Sequence, residues 1–217
     1  MSLVHRIPVP GCLSNSYVIV CEQSLQAIII DPGHEDIKPI EAVLSSHKMQ
    51  APYIFLTHEH FDHIAGANSL RKRFGSKIVC SEDCAISIGD PRRNMSRYCY
   101  NSDIFAGPAD LICETIGWVL DWLGTKIRFI KTPGHSPGSI CIEYEGILFT
   151  GDTILKNVPT RCNLPGGDRV ALAQTIASIE KEYNNSYKIF PGHGPTFSFS
   201  EIMIDAILGI KKNVKAK

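Results

Sequence analysis

Four times along this chain an apolar, strand-like run stops abruptly at a histidine or an aspartate. The densest case is "YIFLTHEHFDHIAG", residues 53–66, which holds His58, Glu59, His60, Asp62 and His63 within six positions. "KTPGHSPGS" then offers His135, "LFTGDT" offers Asp152 and "IFPGHGP" offers His193. A glycine directly before each of these last three lets the backbone approach a site closely. The pattern asks for a fold in which separate strand ends carry one set of chemical side chains.

Within the first segment, residues two apart in an extended loop point the same way, so His58 and His60 can converge on one ion. Asp62 and His63 come as the chain turns into a helix and face a neighbouring point. Imidazole nitrogen and carboxylate oxygen suit zinc, iron or manganese. The bland alternative is a polar helix N-terminus, with acids near the dipole and histidines in solvent. Three of the chain's eight histidines in so short a stretch weigh against it. A helix-borne HExxH site is excluded, because His58 and His63 are five apart with His60 between them. Glu59 fits neither the alternation nor the turn and is expected outside the ligand set, behind it or facing solvent. His5, His34 and His47 lie in contexts without partners and read as surface or structural residues. Seven candidate ligands remain: His58, His60, Asp62, His63, His135, Asp152 and His193. One catalytic zinc needs only three protein ligands and a water. Two ions sharing a bridging carboxylate use all seven. Roughly 3.5–4 Å apart, such a pair holds hydroxide near neutral pH and polarises a carbonyl or phosphoryl oxygen.

The elements between these points read as follows. "LVHRIPV", "NSYVIVC" and "QAIIID" are strands, the third closed by Asp31-Pro32-Gly33. "EDIKPIEAVLSSHKM" has Ile37, Ile40, Val43 and Leu44 at helical spacing, and "HIAGANSLRKRFG" reads as one helix ending at Gly75. "APYIFLT" and "SKIVC" are strands, and residues 81–124 form a long irregular excursion over one face. "TKIRFIKT", "SICIEYEG" and "ILFTGDT" form a hairpin-rich segment turning at Glu145-Gly146. A helix capped by Asp168, the strand "YKIFPGH" and a final helix capped by Ser200 complete the chain. The β content is too high for a doubly wound sheet and suits two sheets stacked between helices.

At 217 residues the chain fits a single domain, 1–217. Lysine plus arginine equal aspartate plus glutamate, 22 each, which gives no footprint for nucleic acid or an acidic membrane surface. The apolar runs are far below the roughly 20 residues of a spanning helix, and the N-terminus lacks the pattern of a signal peptide. Eight cysteines without a CxxC pair are expected as free, mostly buried thiols in a reducing cytoplasm.

From "NSYVIV" and "IIIDPG" through "THEHFDHIAG", "TPGHSPGS", "FTGDT" and "LPGGD" to "FPGHGP", the sequence resembles the metallo-β-lactamase fold superfamily, and within it the glyoxalase II-like hydrolases. The resemblance covers nearly the whole chain and implies an α/β, four-layer αββα sandwich. It implies one metal site of His58, His60 and His135, a second of Asp62, His63 and His193, and Asp152 bridging two ions, most simply zinc. The bridging hydroxide would be the nucleophile, with Asp62 orienting it or accepting its proton. The implied activity is hydrolysis of a small thioester or ester. Lactamases of the B1 type carry Cys where Asp152 stands, and flavodiiron proteins carry Glu where His60 stands. Members that act on RNA have basic exosites that this sequence does not show. Only 24 residues follow His193, too few for the helical domain that holds the glutathione moiety in true glyoxalase II, which disfavours S-lactoylglutathione itself. The alternative within the superfamily is a mononuclear iron persulfide dioxygenase; a non-enzymatic metal-binding module is the third reading. Lys156, Asn157 and Arg161 lie where they could reach an anionic substrate group, with a structural salt bridge as the competing role for Arg161. Arg92, Arg93, Tyr98 and Tyr100 belong either to a lid or to a solvated loop, and Cys162 has no assigned role.

Overall fold

The computed structural model describes residues 2–9, 11, 14–100, 102–113 and 117–209, and their strands form two six-stranded sheets. The first runs in order β1 (Leu3–Pro8), β2 (Asn15–Cys21), β3 (Gln26–Ile30), β4 (Gln50–Phe55), β5 (Lys77–Cys80) and β6 (Leu111–Ile112). It is antiparallel as far as β3 and parallel from β3 to β6. The second is ordered from β7 (Trp118–Trp122) through β8 (Thr125–Lys131), β9 (Ile140–Tyr144), β10 (Ile147–Gly151) and β11 (Lys188–Pro191) to β12 (Phe197–Ser198). The helices are α1 (Lys38–Ser46), α2 (Phe61–Ile64), α3 (Ala67–Phe74), α4 (Glu82–Ser87), α5 (Ser96–Cys99), α6 (Arg169–Glu182) and α7 (Ile204–Ile207).

Strand alternation dictates the layers. On β2 and β3, Tyr17, Ile19, Ile28 and Ile30 face the second sheet and meet Ile127, Phe129, Ile142 and Phe149. Their neighbours Val18, Val20, Ala27 and Ile29 point the other way, onto Ile40 and Leu44 of α1 and Leu70 of α3. On the far side, Leu148 and Ile189 pack under Leu172, Ile176 and Ile179 of α6. Both faces of each sheet are therefore apolar, and helices must cover the outer ones: this is the αββα sandwich the sequence implied. Each fully buried Ile or Phe contributes about 1.5–3 kcal/mol of burial. Asp168 caps α6 as expected, accepting from the amides of Val170 and Ala171, a contact of about 1 kcal/mol.

Three expectations need correction. The helix read across residues 63–75 is two, α2 and α3, broken at Gly66. The Gly66 amide donates to Pro32 O at 2.8 Å, and a Cβ there would meet His34 O at 2.5 Å. The chain bends because a loop from the strand ahead presses against it. The excursion at 81–124 is not irregular throughout: its described residues carry α4, α5, β6 and the edge strand β7. Buried Asn94 pins it, donating to the carbonyls of Ile88 and Ile104 while its own carbonyl accepts from Phe61 N at 2.8 Å. Near the C-terminus, the cap is Ser198 rather than Ser200, in a capping box with Glu201, and the segment forms a 3-10 turn followed by the short α7. The rest of that expected final helix, and Cys12, lie outside the described residues.

Candidate metal centre

All four chemical segments emerge at the C-terminal ends of strands. His58 follows β4 of the first sheet, while His135, Asp152 and His193 follow β8, β10 and β11 of the second. The site therefore lies where the two sheets come together at one end of the sandwich. The seven predicted ligands meet there in overlapping sets, with donor atoms within 4.8 Å of one another: His58, His60 and His135; Asp62, His63 and His193; and His58, His63 and Asp152. Asp152 sits between the other two groups. Its Oδ1 is 3.5 Å from His63 Nε2, and its Oδ2 is 3.6 Å from His135 Nε2 and 3.5 Å from His193 Nε2. His135 Nε2 and His60 Nδ1 are 2.9 Å apart, and Asp62 Oδ2 lies 3.2 Å from His193 Nε2.

The hydrogen bonds behind these side chains decide which nitrogen faces the centre. Thr57 Oγ1 donates to Asp31 Oδ2 at 2.6 Å, which leaves its oxygen to accept from His58 Nδ1 at 3.0 Å. His63 Nδ1 donates to the same Asp31 oxygen at 3.0 Å, and His135 Nδ1 donates to the backbone carbonyl of Arg161 at 2.8 Å. In each ring the δ proton is committed outward, leaving Nε2 to face a shared interior, the arrangement that outer partners impose on metal-binding histidines. His58 Nε2, His63 Nε2 and Asp152 Oδ1 are buried without a hydrogen-bond partner, as is the second nitrogen of His60. Buried polar groups are nearly always satisfied. Orphaned nitrogen and oxygen atoms after β4 and β10, within a donor set drawn from four strand ends, fit divalent metal ions.

Electrostatics splits the cluster in two. Burial and the neighbouring imidazoles hold His58 well below its ordinary pKa, lower His60 to about 3 and depress His135 despite Asp152. That trio is neutral at physiological pH. Burial also disfavours a charged His63, but Asp62, Asp31 and Asp152 together overcome it and raise His63 to about 10. Burial opposes ionisation of Asp62, yet His63 and His193 push its carboxyl well below the usual range. An ion entering the His58–His60–His135 pocket thus displaces no proton, whereas one entering beside Asp62 must displace the proton of His63 and compete with protonation of His193, which Asp62 and Asp152 also favour against burial. Affinity at this second pocket is expected to rise by about tenfold or more per unit from pH 7 towards 9, with uptake at the first nearly flat. Calorimetric titration in buffers of different ionisation enthalpy checks this, and equal pH dependence of both steps would contradict it.

Several positioning residues escaped the sequence reading. Asp31, taken only as a turn residue, has φ 49° and accepts from Thr57 N at 2.7 Å, from Thr57 Oγ1 and from His63. Asn15 donates to Pro191 O and Gly194 O, at 2.8 and 2.9 Å, and so anchors the His193 loop to the first sheet. Gly192 is required because a Cβ would strike Asp152 Oδ1 and the His63 ring. Glu59 does not face solvent: it is 3% exposed, and burial pushes its carboxyl pKa up. Lys156 pairs with Glu201 at 2.7 Å. Arg161 is exposed, and its carbonyl accepts from His135 Nδ1. Tyr100 donates to Glu35 at 3.2 Å, and Arg97 pairs with Asp103. His47, expected without a partner, meets Glu22 at 3.3 Å and His5 ring to ring at 5.4 Å, and His34 accepts from Asp36 N; all three stand apart from the centre.

The sequence model of the metallo-beta-lactamase superfamily matches residues 9–196, almost the entire described chain. This chain belongs to the metallo-beta-lactamase superfamily. Among curated relatives, the Bacillus subtilis protein named "Probable metallo-hydrolase YqgX" is 28% identical over 193 residues, 88% of this chain and 90% of that one. The crystal structure of BLEG-1 B3 metallo-beta-lactamase is similar with a TM-score of 0.85 and 29% identity, covering 92% of this chain and 95% of that one. ETHE1 from Myxococcus xanthus shares the superfamily fold at a TM-score of 0.74 and 20% identity, over 99% and 92% of the two chains. In this superfamily member, no helix among the described residues is long and apolar enough to cross a membrane.

Proposed function

We propose that this chain is a binuclear metal-dependent hydrolase of a small thioester or ester. One observation carries the reading: seven buried or half-buried donors converge from four strand ends, several with no partner of their own. His58, His60 and His135 would hold one ion, Asp62, His63 and His193 a second, with Asp152 between them. Zinc suits this mixture of imidazole and carboxylate best, with iron and manganese as the other candidates. Bound there, such ions supply a nucleophilic water near neutral pH and Lewis acidity at a carbonyl oxygen. The chain's own part is to keep the δ protons of His58, His63 and His135 on their outer partners and to keep Asp62 ionised. Asp62 Oδ2, at the His193 side of the centre, would then orient the attacking water by accepting a hydrogen bond from it.

The substrate is a small molecule rather than nucleic acid or a membrane surface, in keeping with the balanced charge. Seven cysteines among the described residues are free thiols, which suits a reducing compartment such as the cytoplasm. The likeness to BLEG-1 adds a β-lactam to the substrates worth testing, since the B1 cysteine argument does not bear on a B3 enzyme. The test is a panel of S-acyl thioesters, lactones, phosphodiesters and a β-lactam, assayed with zinc- or manganese-loaded protein. Turnover of a thioester or ester that chelator abolishes and metal restores is expected. Turnover confined to the phosphodiester or the β-lactam, or oxygen uptake on glutathione persulfide in its place, would overturn the reading.

A further inference from the structure

The loop Pro133–Ser139 brings His135 across from the second sheet to meet His58 and His60 of the first. Its anchors can be traced singly. Thr175 of α6 donates to Pro133 O at 2.8 Å, Asp168 N donates to Gly134 O at 2.8 Å, and Ser81 donates to Gly138 O at 2.7 Å. These tie the loop to elements that carry no ligand. Besides the His60–His135 contact itself, two contacts tie it to the histidine segment. One is Ile140 N to Thr57 O at 2.8 Å, at the loop's exit. The other comes from Glu59, between His58 and His60, whose Oε2 accepts from Ser136 Oγ at 3.0 Å.

Gly138 packs directly against the Glu59 carboxylate, with Asp83 as the nearby charge. Ser136 Oγ lies 2.9 Å from Ser139 Oγ, which accepts from Ser136 N at 3.2 Å, so the loop's polar groups form one closed network around the carboxylate. Space is equally tight: a Cβ on Gly138 would strike Glu59 Oε2 and come within 2.6 Å of Cys84 N. Glu59 itself is 3% exposed, and Ser136 is fully buried. Nothing about a buried, unpaired acid favours stability by itself. The Ser136 donor and the close fit against Gly138 account for its place, both just beyond His135 in the loop.

We propose that Glu59 is a positioning residue: by binding Ser136 and packing against Gly138 it fixes His135 against His58 and His60, and so sets the affinity and geometry of that pocket without touching an ion. This rests on the metallohydrolase reading above. The experiment titrates cobalt(II) into metal-free wild type, Glu59→Gln and Ser136→Ala, following visible absorption bands and stoichiometry, with circular dichroism to confirm folding. Glu59→Gln is expected to lose about tenfold in affinity for the His58–His60–His135 pocket, with a changed spectrum. The Asp62–His63–His193 pocket is expected to stay within about twofold of wild type, well inside that loss. Ser136→Ala removes one donor only, and should shift the same pocket in the same direction by a smaller factor. It keeps the test open should Glu59→Gln fail to fold. A purely structural Glu59 would lower thermal stability yet leave both affinities and the spectrum at wild-type values, which would overturn the proposal. Wild type that takes up no cobalt would overturn the metallohydrolase reading as well, so the two failures are told apart.

Discussion

Asp152→Ala is expected to reduce hydrolysis by about three orders of magnitude or more, on the scale of losing a charged group at a preorganised centre. Asp152 is the side chain whose two oxygens approach histidines of both groups, 3.5 Å from His63 and His193 and 3.6 Å from His135. Removing it would take away the carboxylate that, on the two-ion reading, lies between both cations, and it frees no buried apolar space. Half-buried at the end of β10, it also leaves the packing of Leu148 and Phe149 intact. Because Asp152 also supports the charge on buried His63, the variant should lose about 1–3 kcal/mol while metal-free and still fold. Steady-state turnover on whichever acyl substrate the panel identifies, paired with thermal unfolding of the metal-free protein, checks both halves. His60→Ala should behave alike in turnover. Full activity in metal-stripped Asp152→Ala would contradict the assignment.

The second large effect is expected at Asp31, which touches neither an ion nor a substrate. Its two oxygens accept from Thr57 N, Thr57 Oγ1 and His63 Nδ1, and through Thr57 they set the tautomer of His58. One buried carboxylate thus orients a histidine in each pocket. Asp31→Asn keeps the shape but cannot accept all three hydrogen bonds, so it should weaken both metal affinities, by about 10- to 100-fold. It should also destabilise the fold by about 1–3 kcal/mol, the cost of a buried donor left without its partner. Because Asp31 is among the groups that raise His63, the pH dependence of the second binding step should flatten in this variant as well. Calorimetric metal titration at two pH values, together with denaturant unfolding, measures all three effects. Loss at one pocket alone would show that the Thr57 link to His58 carries no orientation.

These two residues also show what could be read from the chain and what could not. Asp152, like His135 and His193, announces itself locally: a strand ends, glycine precedes it, and a ligand-type side chain follows. The layered fold was legible for the same reason, since alternating or continuous apolar strands leave few ways to bury both faces of a sheet. Asp31 announces only a turn, because Asp-Pro-Gly is a turn in any context. Its partners, Thr57 and His63, arrive 26 and 32 residues later and are set by the parallel pairing of β3 with β4. Glu59 is hidden in the same way, its partner Ser136 lying 77 residues downstream. The break at Gly66 depends on the carbonyls of Pro32 and His34 pressing against it, which helical periodicity cannot encode. Lys156 pairs with Glu201, 45 residues away in sequence. Local chemistry marks the groups that face the centre; the groups that aim them come from distant strands.

The most direct test of the two-ion site is metal content measured together with oxygen consumption. Protein purified without chelator is submitted to elemental analysis, and its oxygen uptake is followed on glutathione persulfide. Close to two equivalents of divalent metal per chain, dropping to about one in Asp62→Ala, with no oxygen uptake, is the expected result for two pockets sharing Asp152. A single equivalent of iron with oxygen consumption would contradict it.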